Sequence, residues 1–238
     1  MSKGPLAVRW GELPDASPRA GAVERLRVEV ENAGTVTWRN GIHVAYHWLD
    51  DRDNPIFWDG YRTQAPPLAP GERGTVELSV RAPLPPGRYR LAFDMVAESR
   101  AWFSELGNPM LSTDLDVSPR DVEPNADVPA HVTPAPDWAE RVRDAHAQGY
   151  GVVAGAIDWE GVRRPRSLAP YTPGGGRVPG FTHPLLCPSI APGVELERLA
   201  DVEGLPAFAA PAWHFGEPWI YDGRIVLTAR PRSGRRRP

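Results

Sequence analysis

The side chains best suited to chemistry gather late in the chain. The segment Trp213-His214-Phe215-Gly216-Glu217-Pro218-Trp219-Ile220-Tyr221-Asp222 sets aromatic faces beside two carboxylates and an imidazole. That mixture is how sugar rings are commonly held, by stacking below and hydrogen bonds at the rim. The same rings equally serve as glue between a small subdomain and its neighbour. Upstream, Pro173-Gly174-Gly175-Gly176-Arg177-Val178-Pro179-Gly180 strings together glycines whose N–H groups can cradle an anion, with Arg177 offering a bidentate contact to phosphate or carboxylate. The plainer reading is a tight crossing that only glycine's φ range permits. The candidate ligand-binding residues are therefore Arg177, His183, Trp213, His214, Glu217, Trp219 and Asp222, with no catalytic residue assigned. The alternative is a small transferase or hydrolase acting on a sugar or anionic substrate, its site in residues 170–225. Arg177 would then hold an anion, and His183, His214, Glu217 or Asp222 would act as acid or base.

Other constellations read as structural. His43 and His47 have the spacing of a helical metal pair, but they fall on a strand, where four residues span about 13 Å. Asp50, Asp51, Asp53 and Asn54 offer oxygen ligands for a hard cation, yet they sit in a hairpin turn. Gly149-Tyr150-Gly151-Val152-Val153-Ala154 spells part of the dinucleotide fingerprint. That fingerprint needs a strand before the glycines and a helix after them, and here the order is reversed. Cys187, the single cysteine, would need His183 or His214 as a base to act as a nucleophile; a buried apolar thiol is expected instead. Serine-hydrolase, zinc-helix, calcium-loop and kinase motifs are missing. No metal and no cofactor are expected.

Composition narrows the classes further. Of 27 basic residues only Lys3 is lysine, so an internal phosphate-loop lysine, a Schiff-base lysine and a lysine general base are all excluded. One cysteine excludes an intrachain disulfide and any multi-cysteine metal site. No apolar run reads as a signal peptide or a membrane span, so a cytoplasmic protein is expected. The net charge is −3, of which Arg230, Arg232, Arg235, Arg236 and Arg237 contribute +5, leaving residues 1–229 at −8. This basic end, 230–238, lacks interleaved aromatics and reads as a disordered, solubilising tail, so no DNA partner is predicted.

The elements that position these residues differ between the two halves. Period-two alternation runs through Leu26-Val28-Val30, Ile42-Val44-Tyr46-Trp48, Val76-Leu78-Val80 and Tyr89-Leu91-Phe93-Met95, each bounded by turn signals such as Asn40-Gly41 and Pro70-Gly71. Short strands with one apolar face predict a mainly β fold, an immunoglobulin-like antiparallel β-sandwich over 1–118. Prolines spaced through 119–136 predict a stiff linker. A small α+β appendage follows over 137–229. Its helix is capped by Asp137 with Glu140 as capping-box partner, a strand runs from Tyr150 to Ile157, and Asp222-Gly223 turns a terminal hairpin.

Within the first half, Val30-Glu31-Asn32-Ala33-Gly34-Thr35-Val36-Thr37-Trp38 forms an N-x-G-T-x-x-W motif. Tyr46-His47-Trp48-Leu49, Gly60-Tyr61-Arg62-Thr63, Leu68-Ala69-Pro70-Gly71-Glu72, Pro86-Gly87-Arg88-Tyr89 and Trp102-Phe103 follow it. Residues 6–117 thereby resemble the Ig-like four-tryptophan domains of autophagy receptors. They are more similar still to accessory sandwiches of bacterial glycosyltransferases and polysaccharide-export proteins. The resemblance implies a tyrosine corner at Tyr89 and a non-catalytic binding or accessory role in cell-surface glycan assembly. The implied partner is a carbohydrate or a protein, a glycosyltransferase among the candidates for docking. A third reading is a scaffold whose outward sheet residues, such as Arg90 and Asp94, dock a protein.

Overall fold

The computed structural model describes residues 4–161, 163–178, 181–211 and 217–231. The chain is mainly β and forms two compact units, Met1–Ser118 and Pro119–Pro238. In the first, β1 (Val8–Trp10), β2 (Val23–Asn32), β3 (Ile42–Leu49), β4 (Pro55–Phe57), β5 (Thr63–Gln64), β6 (Arg73–Arg81), β7 (Gly87–Ala97), β8 (Ala101–Trp102) and β9 (Leu111–Val117) follow in chain order. They make a three-stranded sheet, β1-β2-β6, and a six-stranded sheet, β4-β3-β7-β8 with β5 on β3 and β9 on β7. Every ladder between these strands is antiparallel.

Alternation explains why the two sheets share one core. Val28, Val30, Val76 and Leu78 of the smaller sheet bury together with Val44, Tyr46, Trp48, Leu91, Phe93 and Met95 of the larger. Removing these side chains from water supplies the main favourable term, about 1.5–3 kcal/mol for each large apolar one. The opposite face of β2 is wet, with Arg25, Arg27 and Glu29 exposed. The opposite face of β3 is not, since Ala45, His47 and Leu49 are buried as well. Asp94, expected on an outward docking face, is fully buried; the β4 and β8 regions cover it, as set out below.

Three of the four fixed positions in the N-x-G-T-x-x-W motif have a clear structural use. The Asn32 amide, itself buried, donates to the carbonyls of Val36 and Leu68 and accepts from Gly34 N–H. It thereby ties the loop after β2 to the strand-free segment before β6. A Cβ on Gly34 would lie 2.4 Å from the Pro5 carbonyl oxygen, so only glycine passes there. Trp38 is 1% exposed and meets Phe103 edge-on at 6.1 Å. Tyr89 donates its hydroxyl to the Pro85 carbonyl four residues upstream, at 2.8 Å.

The second unit adds β10 (Val132–Pro134), α1 (Trp138–Ala147), β11 (Val152–Trp159), β12 (Arg177–Val178), β13 (Leu185–Leu186), β14 (Ser189–Ile190), β15 (Ala207–Phe208) and β16 (Trp219–Ala229). Its sheet runs β10-β16-β11-β14 with β12 on β16, and β13 pairs with β15. The central pair, β11 and β16, is parallel. Helix α1 buries Val142, Ala145 and His146.

Four expectations are corrected here. The stretch 119–136 is not a linker but part of this unit. Arg120 pairs with Glu217, Val122 is buried, Asn125 binds Ser189 and Ile190, and β10 joins the sheet. Its prolines punctuate a surface crossing whose polar groups find partners far along the chain. Asp137 makes no cap hydrogen bond; its carboxylate instead holds Arg141 one turn on, at 2.6 Å. Asp222-Gly223 does not turn a hairpin. The strand continues through it, and the register against β11 jumps from Gly155↔Asp222 to Ala156↔Val226, so residues 223–225 bulge out. Arg230, placed in the tail, is anchored by its N–H to the His131 carbonyl and by its guanidinium to Glu160; residues 232–238 lie outside the described ones.

Candidate functional site

In the second unit, two of the expected ligand-binding residues meet. The bulge in β16 turns the Asp222 carboxylate inward, where it is 2% exposed. It accepts from the Arg224 N–H at 3.0 Å, from the Arg224 guanidinium at 2.6 Å and from Arg177 on β12 at 3.1 Å. Burial pushes this carboxyl up, but the hydrogen bonds from Arg224 and Arg177 outweigh it and hold the group down at about 2. Asp222 is thus a fixed anion between two cations and no proton donor near neutrality. The glycine loop is spent in the same way. Gly174 N–H donates to the Gly223 carbonyl and Gly223 N–H to that of Gly176, so the loop clasps the bulge.

The other expected residues scatter. His183 is exposed beside Phe181, ring centroids 5.4 Å apart, and Phe181 stacks on Tyr221 at 4.3 Å and 9°. Glu217 pairs with Arg120 and fills the space left by Gly151, where a Cβ would sit 1.7 Å from the carboxylate oxygen. Gly151 therefore serves a side chain 66 positions later, not a phosphate. Trp219 is 4% exposed, its indole N–H on the Pro211 carbonyl at 3.1 Å. Trp213 and His214 lie outside the described residues. Cys187 is buried and its thiol is pushed up to about 12, first by desolvation and then by Asp127, which leaves almost no thiolate at neutral pH.

One cluster here escaped the sequence reading. His146 Nε2 lies 2.9 Å from Ser189 Oγ, and its Nδ1 lies 2.7 Å from the Tyr150 carbonyl oxygen. Nδ1 therefore donates to the carbonyl, and Ser189 Oγ also reaches Asn125 Oδ1 at 3.3 Å. Desolvation lowers the pKa of His146, the hydrogen bond to Tyr150 opposes it in part, and the Arg120 charge lowers it a little further. Both residues are fully buried, so the pair fastens α1 to β14 and meets no substrate.

The first unit holds the more exposed chemistry. Ile56, Phe57 and Trp58 leave 49%, 39% and 40% of their surface in water. Trp58 stacks on the buried His47 at 4.0 Å and 14°, and its carbonyl receives the His47 Nδ1–H. Beneath, Asp94 Oδ1 accepts from Met95 N–H and Ser104 N–H, and Oδ2 faces His47 Nε2 at 4.0 Å. Trp102 stands perpendicular to Trp58 at 6.3 Å and 71°. Over Trp102, at 5.3 Å, lies the Arg62 guanidinium, which also binds Asp59 at 2.9 Å and Glu98 at 2.6 Å. The result is an indole platform with its back to an imidazole and a planar donor–acceptor network at its side. His47 is part of it because successive outward positions on β3 pair with outward positions on β7, Ala45 opposite Asp94 and His47 opposite Ala92. An apolar-only alternation count passes over such a histidine; the signal present was Trp58-Asp59-Gly60-Tyr61-Arg62, aromatic and ionic residues interleaved just past β4.

Among the described residues no group of three or more His, Cys, Asp or Glu could hold a metal ion, and no helix is long and apolar enough to cross a membrane. No family model and no curated protein matches the chain. Among solved structures, the chain is similar to a β-glucosidase from Listeria innocua and to the same enzyme in complex with glucose. The identity is 13% and the TM-score 0.31, over 47% of this chain and 16% of the glucosidase's. A likeness of that size bears on neither fold nor activity.

Proposed function

We propose that this chain is a non-catalytic accessory protein whose first unit, an immunoglobulin-like sandwich, binds carbohydrate in bacterial cell-surface glycan assembly. The observation that carries this reading is the Trp58 platform. A partly exposed indole, backed by His47 and edged by Trp102 and the Arg62–Asp59–Glu98 network, has the two features a pyranose needs: an apolar plane for its C–H face and paired donors and acceptors for its hydroxyls. The shared core of two antiparallel sheets and the Tyr89–Pro85 hydrogen bond support the sandwich type. The enzyme reading draws less support, since Asp222 and Glu217 are each committed to arginine.

The test is a glycan array with calorimetry on its hits, using the wild-type chain and Trp58→Ala. A sugar covering about 100 Å² of the indole gains about 2.5 kcal/mol, so Trp58→Ala should weaken binding by about 50- to 100-fold, while Trp58→Tyr keeps part of the affinity. Saccharide binding that is equally strong in Trp58→Ala would remove the platform from the reading, and an empty array would remove the reading itself.

A further inference from the structure

The three-stranded sheet of the first unit carries a second feature, away from Trp58. After β1 the chain makes one more sheet bond, Gly11 N–H to the Glu29 carbonyl at 2.8 Å. Residues 12–14 then border the outward face of β2 and β6. Two adjoining grooves, of about 420 Å³ and 960 Å³, run there and share Trp10, Gly11, Glu29, Arg73 and Thr75. Among the described residues most of their charged lining is paired, Glu12 and Glu29 apart. Glu31 binds Arg9 and Arg73, the latter at 3.0 Å, and Glu77 lies 3.8 Å from Arg27. Between these pairs, Glu29 stands opposite the exposed Thr75 and takes part in no ion pair among the described residues.

We infer that this groove is a second saccharide site, one that takes a neutral, linear glycan chain several sugars long. Four properties lead there. Arg9, Arg27 and Arg73 nearly offset Glu12, Glu29, Glu31 and Glu77, a net of −1 over both grooves, so a strongly charged ligand finds little complementary field. The groove lies over a sheet face. It therefore presents side chains and no open ladder of N–H and C=O groups, which an added peptide strand would require. Thr75 and Arg73, two residues apart on β6, and Glu29, opposite Thr75 on β2, offer a hydroxyl, a guanidinium and a carboxylate as neighbours, and a carboxylate or guanidinium can engage two neighbouring hydroxyls at once. Trp10, partly exposed at the junction of the two grooves, supplies the apolar wall.

This inference rests on the proposed saccharide-binding role, and the experiment separates the two. Cellohexaose, maltohexaose and laminarihexaose are titrated calorimetrically into the full chain, into Trp58→Ala, into Thr75→Tyr, which puts a ring on the groove floor, and into Glu29→Gln. Both substituted groove positions are exposed on strands, and circular dichroism confirms that each variant is folded. The expected result is two sites per chain for at least one hexasaccharide in the wild type. Trp58→Ala and Thr75→Tyr should each retain one, and Glu29→Gln should weaken the groove site about tenfold. A single site lost in Trp58→Ala and untouched by Thr75→Tyr and Glu29→Gln would overturn the groove and leave the platform standing. No binding of any hexasaccharide would overturn the groove, and with an empty array the platform too. If only a labelled extended heptapeptide pool binds, and Thr75→Tyr blocks it, the groove belongs to peptides and the inference fails.

Discussion

Asp222 gives the sharpest test of whether the second unit's charged cluster is structural. The perturbation is Asp222→Asn, which keeps the size and one acceptor but removes the charge between Arg177 and Arg224. The carboxyl falls from 3.8 to about 2 on folding, a shift equivalent to about 2.4 kcal/mol at face value. Arg224 and Arg177 leave 49% and 39% of their side chains in water, and solvent screening reduces the figure to about 1–2 kcal/mol. Because the folded pKa is depressed, this stabilisation is fully present above pH 3.8 and drains away as pH falls towards 2. Urea unfolding of the full chain, followed by tryptophan fluorescence at pH 7, 4, 3 and 2, reads the effect. Wild type should exceed Asp222→Asn by about 1–2 kcal/mol at pH 7, and most of that gap should be gone at pH 2. Equal stabilities at pH 7, or a gap that persists undiminished at pH 2, would refute the argument that paired guanidiniums hold this carboxylate.

Two further expectations concern the cores. Asn32→Ala should lower the stability of the first unit by about 3 kcal/mol, three buried or half-buried hydrogen bonds at about 1 kcal/mol each. Asn32→Asp should be no better, because its carboxylate would face the Val36 and Leu68 carbonyls; chemical denaturation of both variants decides it. Cys187 should resist iodoacetamide at pH 8 in the native chain and react promptly in 6 M guanidinium, as mass spectrometry of the alkylated protein would show; rapid native labelling would contradict its burial and raised thiol pKa.

The strands of the first unit were legible because one face of each is apolar and the other carries charge, as in Leu26-Val28-Val30 against Arg25-Arg27-Glu29. The outer face of β3 was not, because what buries His47 is Trp58, eleven residues on, and Asp94, across the sheet. Local rules also mislead where one dipeptide serves two purposes. Asp-Gly marks a hairpin when its flanks pair with each other, but the flanks of Asp222-Gly223 pair with β11 instead, on either side of a bulge. Of the candidate site, Arg177 and Asp222 meet as an ion pair, a partnership that their expected role as ligand contacts did not include. Glu217 was misread because its partner, Arg120, lies 97 positions away, a distance over which neither spacing nor propensity carries information.

The parallel pairing of β11 with β16 also sets a schedule. Val152 aligns with Trp219, so the middle of the second unit's sheet cannot close until nearly seventy more residues have been made. At about 5–20 residues per second, the apolar edge formed by Val152, Val153, Ala154 and Ile157 waits on the order of seconds beside a ribosome, with only antiparallel β14 available to it in the meantime. Helix α1 is already made when β11 emerges, and Ser189, its fastening partner through His146, follows within that interval, so the two can shield one side of the strand. The first unit, whose partner strands lie within its own 118 residues, is complete before the wait begins.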